Sequence, residues 1–120
     1  MKICISSTGK NLSSSVDPRF GRCAYFLIID SENKEEFEVI ENIGTHAQHG
    51  AGVTAAQIIA DKKIDVAISG NFGPNAYLVL SQVGVKCYTT SSSISIKEAL
   101  DFLNEGKLEE LVKPSSSHYK

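Results

Sequence analysis

Residues 65–76 read Asp-Val-Ala-Ile-Ser-Gly-Asn-Phe-Gly-Pro-Asn-Ala, and this stretch decides the fold. The short apolar run at 66–68 predicts a buried strand, because it is uninterrupted and bounded by turn residues. Apolar residues then recur at helical spacing from Ala76 to Val83. Pro74 suits the first turn of a helix, where its missing N–H would have had no intrahelical partner. The stretch therefore predicts a strand, a glycine-bearing turn and a helix whose amino terminus is suited to bind an anion.

The composition is that of one globular domain in a reducing compartment. The chain has 120 residues, 42% of them apolar and 22% charged, with a formal net charge of −2, and this length is enough to bury a single core. The sequence has no basic stripe and no apolar run of membrane-spanning length, so nucleic acid and membranes are not expected partners. The amino terminus lacks a signal-peptide pattern, and the three cysteines lack paired spacing. We therefore expect a cytoplasmic protein.

The first third of the chain predicts a three-stranded meander. Residues 3–6 form the first strand, the apolar run at 24–29 the second, and the alternating residues around Phe37 and Val39 a half-exposed edge strand. A loop rich in Ser, Gly and Asn lies between the first two strands, and a loop of this length favours a functional role.

The rest of the chain alternates helix and strand. Helices are predicted at 53–63, at 74–83 and behind a capping box formed by Ser95 and Glu98, with strands at 64–68 and 85–88. Gly84 is placed for a left-handed C-cap, and Leu108, Leu111 and Val112 predict one more helical turn. The right-handed crossover rule then gives an α/β fold with a mixed five-stranded sheet of order 3-2-1-4-5, strand 2 antiparallel, flanked by helices. We expect one domain over residues 1–112 and a flexible tail at 113–120.

The predicted topology places the ligand site at one edge of the sheet. Ligands of open α/β sheets bind outside the carboxyl ends of the parallel strands. Four segments should therefore meet there: residues 7–22, 45–52, 70–75 and 89–93.

Three motifs follow one another at suitable spacing: Asp17-Pro18-Arg19-Phe20-Gly21-Arg22, His49-Gly50-Ala51-Gly52 and Ser69-Gly70-Asn71-Phe72-Gly73-Pro74-Asn75-Ala76. Together they resemble the dinitrogenase iron–molybdenum cofactor biosynthesis family over about residues 1–112. The resemblance implies a ribonuclease H-like fold and a role in binding or carrying iron–sulfur precursors of the nitrogenase cofactor. It also implies a cofactor donor or acceptor protein as a partner.

Arginines, glycines and asparagines supply the candidate anion-binding groups. Arg22, together with Arg19, offers charge-assisted hydrogen bonds to a cluster or a phosphate, unless these side chains pair with carboxylates and fix the loop. The glycines either let backbone approach a bulky ligand or only permit the turns, and an asparagine either donates to the ligand or caps a helix. The predicted cofactor-binding set is Arg22, His49, Gly50, Gly52, Gly70, Asn71, Gly73 and Asn75.

Two histidines and one cysteine are candidate metal ligands. His46 and His49 are three residues apart near a helix start, a spacing that puts two imidazoles within reach of one metal such as iron. The alternative is a pair of surface histidines. Cys23 follows Arg22, whose guanidinium would favour the thiolate, whereas a cysteine in or near a strand is usually a small buried hydrophobe. The chain lacks a Cys-x-x-Cys motif, so a cluster would be held through few protein ligands.

Two functions fit these residues. The first is a non-enzymatic binding or carrier protein for an anionic iron–sulfur or iron–molybdenum-type cofactor or its precursor. The second is a small-molecule anion sensor or protein-interaction module that uses the same loops without a metal cluster. A nuclease is disfavoured, because two-metal hydrolysis needs carboxylates at strand ends and the first strand ends in Ser6 and Ser7 instead.

Overall fold

The computed structural model describes residues 1–43, 50–91 and 93–113. Its strands are β1 (Lys2–Ser7), β2 (Tyr25–Asp30), β3 (Asn33–Glu41), β4 (Val66–Ser69), β5 (Lys86–Thr89) and β6 (Glu109–Leu111). Its helices are α1 (Ala51–Ala60), α2 (Pro74–Gln82) and α3 (Ile96–Asn104). In this described part of the chain, no helix is long and apolar enough to cross a lipid bilayer.

The strands form one mixed open sheet of order β3-β2-β1-β4-β5-β6. β2 is antiparallel to β1 and β3, whereas β4 is parallel to both β1 and β5. The predicted order and directions of the first five strands are thus confirmed, while the ribonuclease H-like designation stays a prediction. The parallel strands end at the same edge, so the loops that follow β1 and β4 leave the sheet side by side.

β6 corrects one prediction. Residues 108–112 were expected to add a helical turn, but Glu109–Leu111 pairs antiparallel with β5 and forms the sixth strand. Leu108 and Leu111 pack against the clusters on opposite faces of the sheet. Residues an odd number apart do this in an extended chain, in which side chains alternate between faces. Burial on both faces therefore outweighs the weak helical pattern of so short a segment.

The two faces of the sheet carry separate cores. α1 and α2 pack on one face through residues such as Ala56, Ile59 and Leu80. α3 packs on the other face against β-strand residues that include Ile5 and Ile68. The helices that bear the predicted second and third motifs therefore lie on the same side of the sheet, next to each other.

Candidate functional site

A cleft of about 350 Å³ lies between the turn that precedes β2 and the amino termini of α1 and α2. This volume is in the range of about 300–1,000 Å³ that small-ligand sites occupy. Its lining comes from residues within 19–22, 50–53 and 71–76, so three of the four segments expected to converge do meet here. Six residues of the predicted cofactor-binding set line it: Arg22, Gly50, Gly52, Asn71, Gly73 and Asn75.

The turn bearing the arginines is anchored on the carboxyl ends of β1 and β4. The carbonyl oxygen of Asp17 accepts hydrogen bonds from the buried hydroxyls of Ser6, at 2.8 Å, and Ser69, at 3.4 Å. The backbone N–H of Gly70 donates to the same oxygen at 3.4 Å. A Cβ built on Gly70 would lie 2.7 Å from the Cα of Pro18. Gly70 was expected among the ligand-binding residues, but the structure places it behind the cleft, packed against this turn.

Phe20 fixes the same turn from within the core, a role that the sequence analysis missed. Its ring is buried between Phe26 and Phe72, with centroids 5.0 Å from each. Its backbone N–H donates to the carbonyl oxygen of Asn71 at 3.2 Å. The sequence does contain a signal for this role, because Phe20 and Phe72 are each an aromatic residue within an otherwise polar turn. These packed, mutually tilted rings join the turn that carries Arg22 to the segment that starts α2.

Glycine N-caps leave the amino termini of α1 and α2 open toward the cleft. The N-caps are Gly50 and Gly73, which carry no side-chain oxygen, and the first turn of each helix contains no acidic residue. The first intrahelical bonds run from Thr54 to Gly50, at 2.9 Å, and from Tyr77 to Gly73, at 3.0 Å. The N–H groups that precede these bonds have no intrahelical acceptor. They belong to residues that line the cleft, where they and the helix dipoles favour an anion.

The amino terminus of α3 is closed by contrast. Its first three N–H groups donate to the carbonyl oxygens of Ser14 and Leu12 and to Oγ of Ser95, at 2.8, 3.0 and 3.1 Å. The predicted capping box is confirmed, since Glu98 accepts in return from the backbone of Ser95. The loop after β1 is therefore used largely to cap α3. The described residues of 89–93 do not line the cleft, which corrects the expectation that this segment joins the site.

The charged groups of the cleft are positive. Arg19 and Arg22 are exposed on its wall, and no Asp or Glu occurs among the described lining residues. Nε of Arg19 lies 3.6 Å from a carboxylate oxygen of the buried Asp17, which also accepts from the backbone N–H of Arg19 at 2.9 Å. The carboxylate of Asp17 therefore balances part of the charge of Arg19, in agreement with the alternative that this arginine pairs with a carboxylate and fixes the loop. Asn71 and Asn75 are also exposed lining residues, and the side-chain amide of each can donate to a ligand.

The three cysteines are buried core residues. Cys4 and Cys87 lie within strands, as predicted, and Cys23 is fully buried beside them. Burial, assisted by the nearby carboxylate of Asp17, raises the pKa of Cys23 to about 12. The expectation that Arg22 favours the Cys23 thiolate is therefore wrong for this conformation. Cys23 as a metal ligand stays a prediction, and it would require the thiol to leave its packed position.

His46 and His49 lie outside the described residues. Elsewhere in the described chain, no three residues of the types His, Cys, Asp and Glu are grouped closely enough to hold a metal ion. Gly50, the covalent neighbour of His49, lines the cleft. The two histidines as ligands therefore stay a prediction that this geometry leaves open.

Proteins of similar length resemble this chain in sequence, and two with solved structures also resemble it in fold. An uncharacterised protein of Methanocaldococcus jannaschii is 40% identical over 111 residues, which cover 91% of this chain and 90% of that one. The apo form of the orange protein from Desulfovibrio gigas superposes with a TM-score of 0.91 at 29% identity, covering 96% of both chains. A putative NifB protein from Thermotoga, assigned to the DUF35 family, superposes with a TM-score of 0.83 at 38% identity, covering 97% of both chains. The dinitrogenase iron-molybdenum cofactor family model matches residues 1–106, and the chain belongs to that family.

Proposed function

We propose that this protein binds or carries an anionic iron–sulfur cluster of the iron–molybdenum type, or a precursor of one, in the cleft between α1 and α2. One observation carries the proposal: two glycine-capped helix amino termini and two arginines converge on one cleft whose described lining holds no carboxylate. Backbone N–H and guanidinium groups are donors to negatively charged sulfur and oxygen atoms. These donors therefore suit a ligand that already carries negative charge before it binds.

Membership of the family supports this choice of ligand, since the family is named for the dinitrogenase iron-molybdenum cofactor. The similar orange protein was solved in an apo form, and the Thermotoga relative is described as a putative NifB protein. A carrier hands its cargo on, so we also propose a cofactor donor or acceptor protein as the partner, in the cytoplasm. We infer binding rather than catalysis, because the groups assembled at the cleft are hydrogen-bond donors and not an acid–base pair.

The protein would hold such a cluster mainly by hydrogen bonds. The described lining contains no thiol, and the Cys23 thiol is buried and protonated at neutral pH. We propose His49, with His46, as the residues that supply direct metal ligands, because Gly50, which follows His49 in the sequence, lines the cleft. The neutral imidazole is a suitable ligand for iron. Few protein–metal bonds would make release easy, which a carrier requires.

The test is anaerobic incubation with a water-soluble synthetic four-iron, four-sulfur thiolate complex, followed by desalting and by iron and sulfide analysis. The wild type should retain a coloured cluster with visible absorption. Arg22→Gln and His49→Ala should retain less. Lys86→Gln serves as the control, because it removes one positive charge from an exposed residue at the start of β5, away from the cleft. A colourless wild type, or equal retention in all four proteins, would contradict the proposal.

A small-anion sensor is the second candidate, and the open helix termini favour it, because such termini also bind phosphate. A sensor should gain thermal stability with inorganic phosphate or phosphate esters, since a ligand that binds only the folded state raises the melting temperature. It should also stay colourless after incubation with the cluster. A carrier should instead become coloured after incubation with the cluster and gain no thermal stability from phosphate.

A further inference from the structure

Asn42 is fully buried just after β3 and holds the segment that carries Arg22. Its side-chain nitrogen Nδ2 donates to the carbonyl oxygens of Gly21, at 3.1 Å, and Cys23, at 3.0 Å. Its backbone N–H donates to the carbonyl oxygen of Ala24 at 3.1 Å. Both hydrogens of the amide nitrogen are thus directed at carbonyls, which can only accept. The two side-chain bonds bracket Arg22 on either side.

The segment held by Asn42 is also in direct contact with α1. A Cβ built on Gly21 would lie 2.9 Å from the backbone nitrogen of Gly52, in the first turn of that helix. On its other side, the backbone N–H of Phe20 is bonded to Asn71, which precedes α2. Because no side chain lies between the two backbones, we expect a shift of the Gly21 backbone to reach the open end of α1.

We propose that Asn42 is the positioning residue of the cleft. Its carboxamide sets the place of Arg22 relative to the amino terminus of α1, and through this distance it sets the affinity of the cleft for an anion. The effect on affinity rests on the proposed function, whereas the effect on geometry does not. Replacing a buried asparagine that only stabilised the fold would change neither the geometry at the amino terminus of α1 nor the affinity of the folded protein for an anion.

The first arm of the test is independent of any ligand. Asn42→Ser and Asn42→Asp are compared with Leu100→Ala, which removes buried volume from the opposite face of the sheet. Nitrogen-15 NMR should show changed amide shifts and faster hydrogen exchange at residues 21–24 and 51–53 in the Asn42 variants, with both regions unchanged in Leu100→Ala. Should neither variant fold, slow exchange of the Asn42 side-chain amide protons in the wild type still tests the two bonds. Exchange at the rate of an exposed amide would overturn the proposal.

The second arm measures affinity for the synthetic four-iron cluster and for inorganic phosphate. We expect Asn42→Ser to raise the Kd for whichever of the two probes the wild type binds about tenfold, the loss that follows when one charge-assisted hydrogen bond is misplaced. Adding Arg22→Gln to Asn42→Ser should cost little more, because residues that act through one another are not additive. Fully additive losses, or a Kd equal to that of the wild type, would overturn the proposal. If the wild type binds neither probe, the proposed function fails while the NMR arm still decides the role of Asn42.

Discussion

The backbone of Gly21 lies directly against the backbone of Gly52, so that a Cβ built on Gly21 would come within 2.8 Å of the Cα of Gly52. The first residue precedes Arg22, and the second belongs to the first turn of α1. The wall that carries a positive charge and the helix terminus that offers N–H groups therefore meet without a side chain between them.

Gly21→Ala should lower both stability and ligand uptake. The new methyl group would meet backbone atoms of α1, which cannot rotate away, so the wall must shift. We expect the free energy of unfolding to fall by about 1–3 kcal/mol, the usual cost of overpacking, as measured by urea denaturation. Uptake of the synthetic cluster should fall with it.

Gly73→Ala is the matched control for this substitution. A Cβ at Gly73 would meet nothing within 4 Å, and its φ of −66° is ordinary for alanine. It should lose only the N-cap preference for glycine over alanine, about 1 kcal/mol or less. Gly73→Ala controls for stability alone, because Gly73 itself lines the cleft. Equal losses of stability in the two variants would show that the contact between Gly21 and Gly52 does not matter.

The elements that could be predicted are those that depend on local sequence patterns. The capping box at Ser95 and the positive φ of Gly84 follow from residue types alone. The order of the first five strands follows from the order in which strands and helices alternate along the chain, together with the crossover rule. The meeting of Arg22, Gly50 and Gly73 followed in turn from that order, because the topology decides which loops share an edge.

What could not be predicted depends on tertiary contacts. Asn42 follows a strand, where a polar residue is ordinarily solvated, and nothing local shows that its partners lie some twenty positions earlier in the chain. Cys23 was interpreted from its neighbour Arg22, yet the former is buried and the latter is exposed in the turn before β2, so adjacency in the sequence did not place the thiol and the guanidinium in the same surroundings. All of segment 7–22 was expected at the site, but only residues 19–22 line the cleft, and the carbonyls of Leu12 and Ser14 cap α3 instead.

Ser95→Ala should weaken the fold and leave ligand binding unchanged. The hydroxyl accepts from the backbone N–H of Glu98, and its removal should cost about 0.5–2 kcal/mol of unfolding free energy. α3 lies on the face of the sheet opposite α1 and α2, so the Kd for phosphate or cluster should stay that of the wild type. Ser93→Ala, which changes an exposed serine of the same loop, is the control for stability. A loss of affinity in Ser95→Ala would mean that this end of the molecule takes part in binding.

Phe20→Ala should be among the most damaging single changes in the site region. Phe20 is buried between two other rings, and truncation of such a side chain costs about 3–5 kcal/mol. That is a large part of the stability of a domain of this size. Phe102→Ala on α3, where the ring is only half-buried, should cost clearly less in thermal denaturation. A similar fall in melting temperature for both variants would contradict the anchoring role of Phe20.

The buried thiols should make the protein lose stability at alkaline pH. Burial raises the pKa of Cys23 and Cys87 to about 12, from an ordinary value of 9.0. The thiols of the unfolded chain therefore ionise first as the pH rises, and the folded state binds more protons between these values. The free energy of unfolding should fall between about pH 9 and pH 12, by at most about 1.4 kcal/mol per pH unit for each thiol.

Cys87→Ala should make this fall less steep, because it removes one of the groups whose pKa is raised by burial. The comparison uses the slope of unfolding free energy against pH, measured by urea denaturation, since any packing loss shifts the whole curve without changing its slope. Ile59→Val is the control, because it removes buried volume from the same core cluster and contains no ionisable group. The control should keep the slope of the wild type. Identical slopes in the wild type and Cys87→Ala would show that this thiol ionises alike in the folded and unfolded chains.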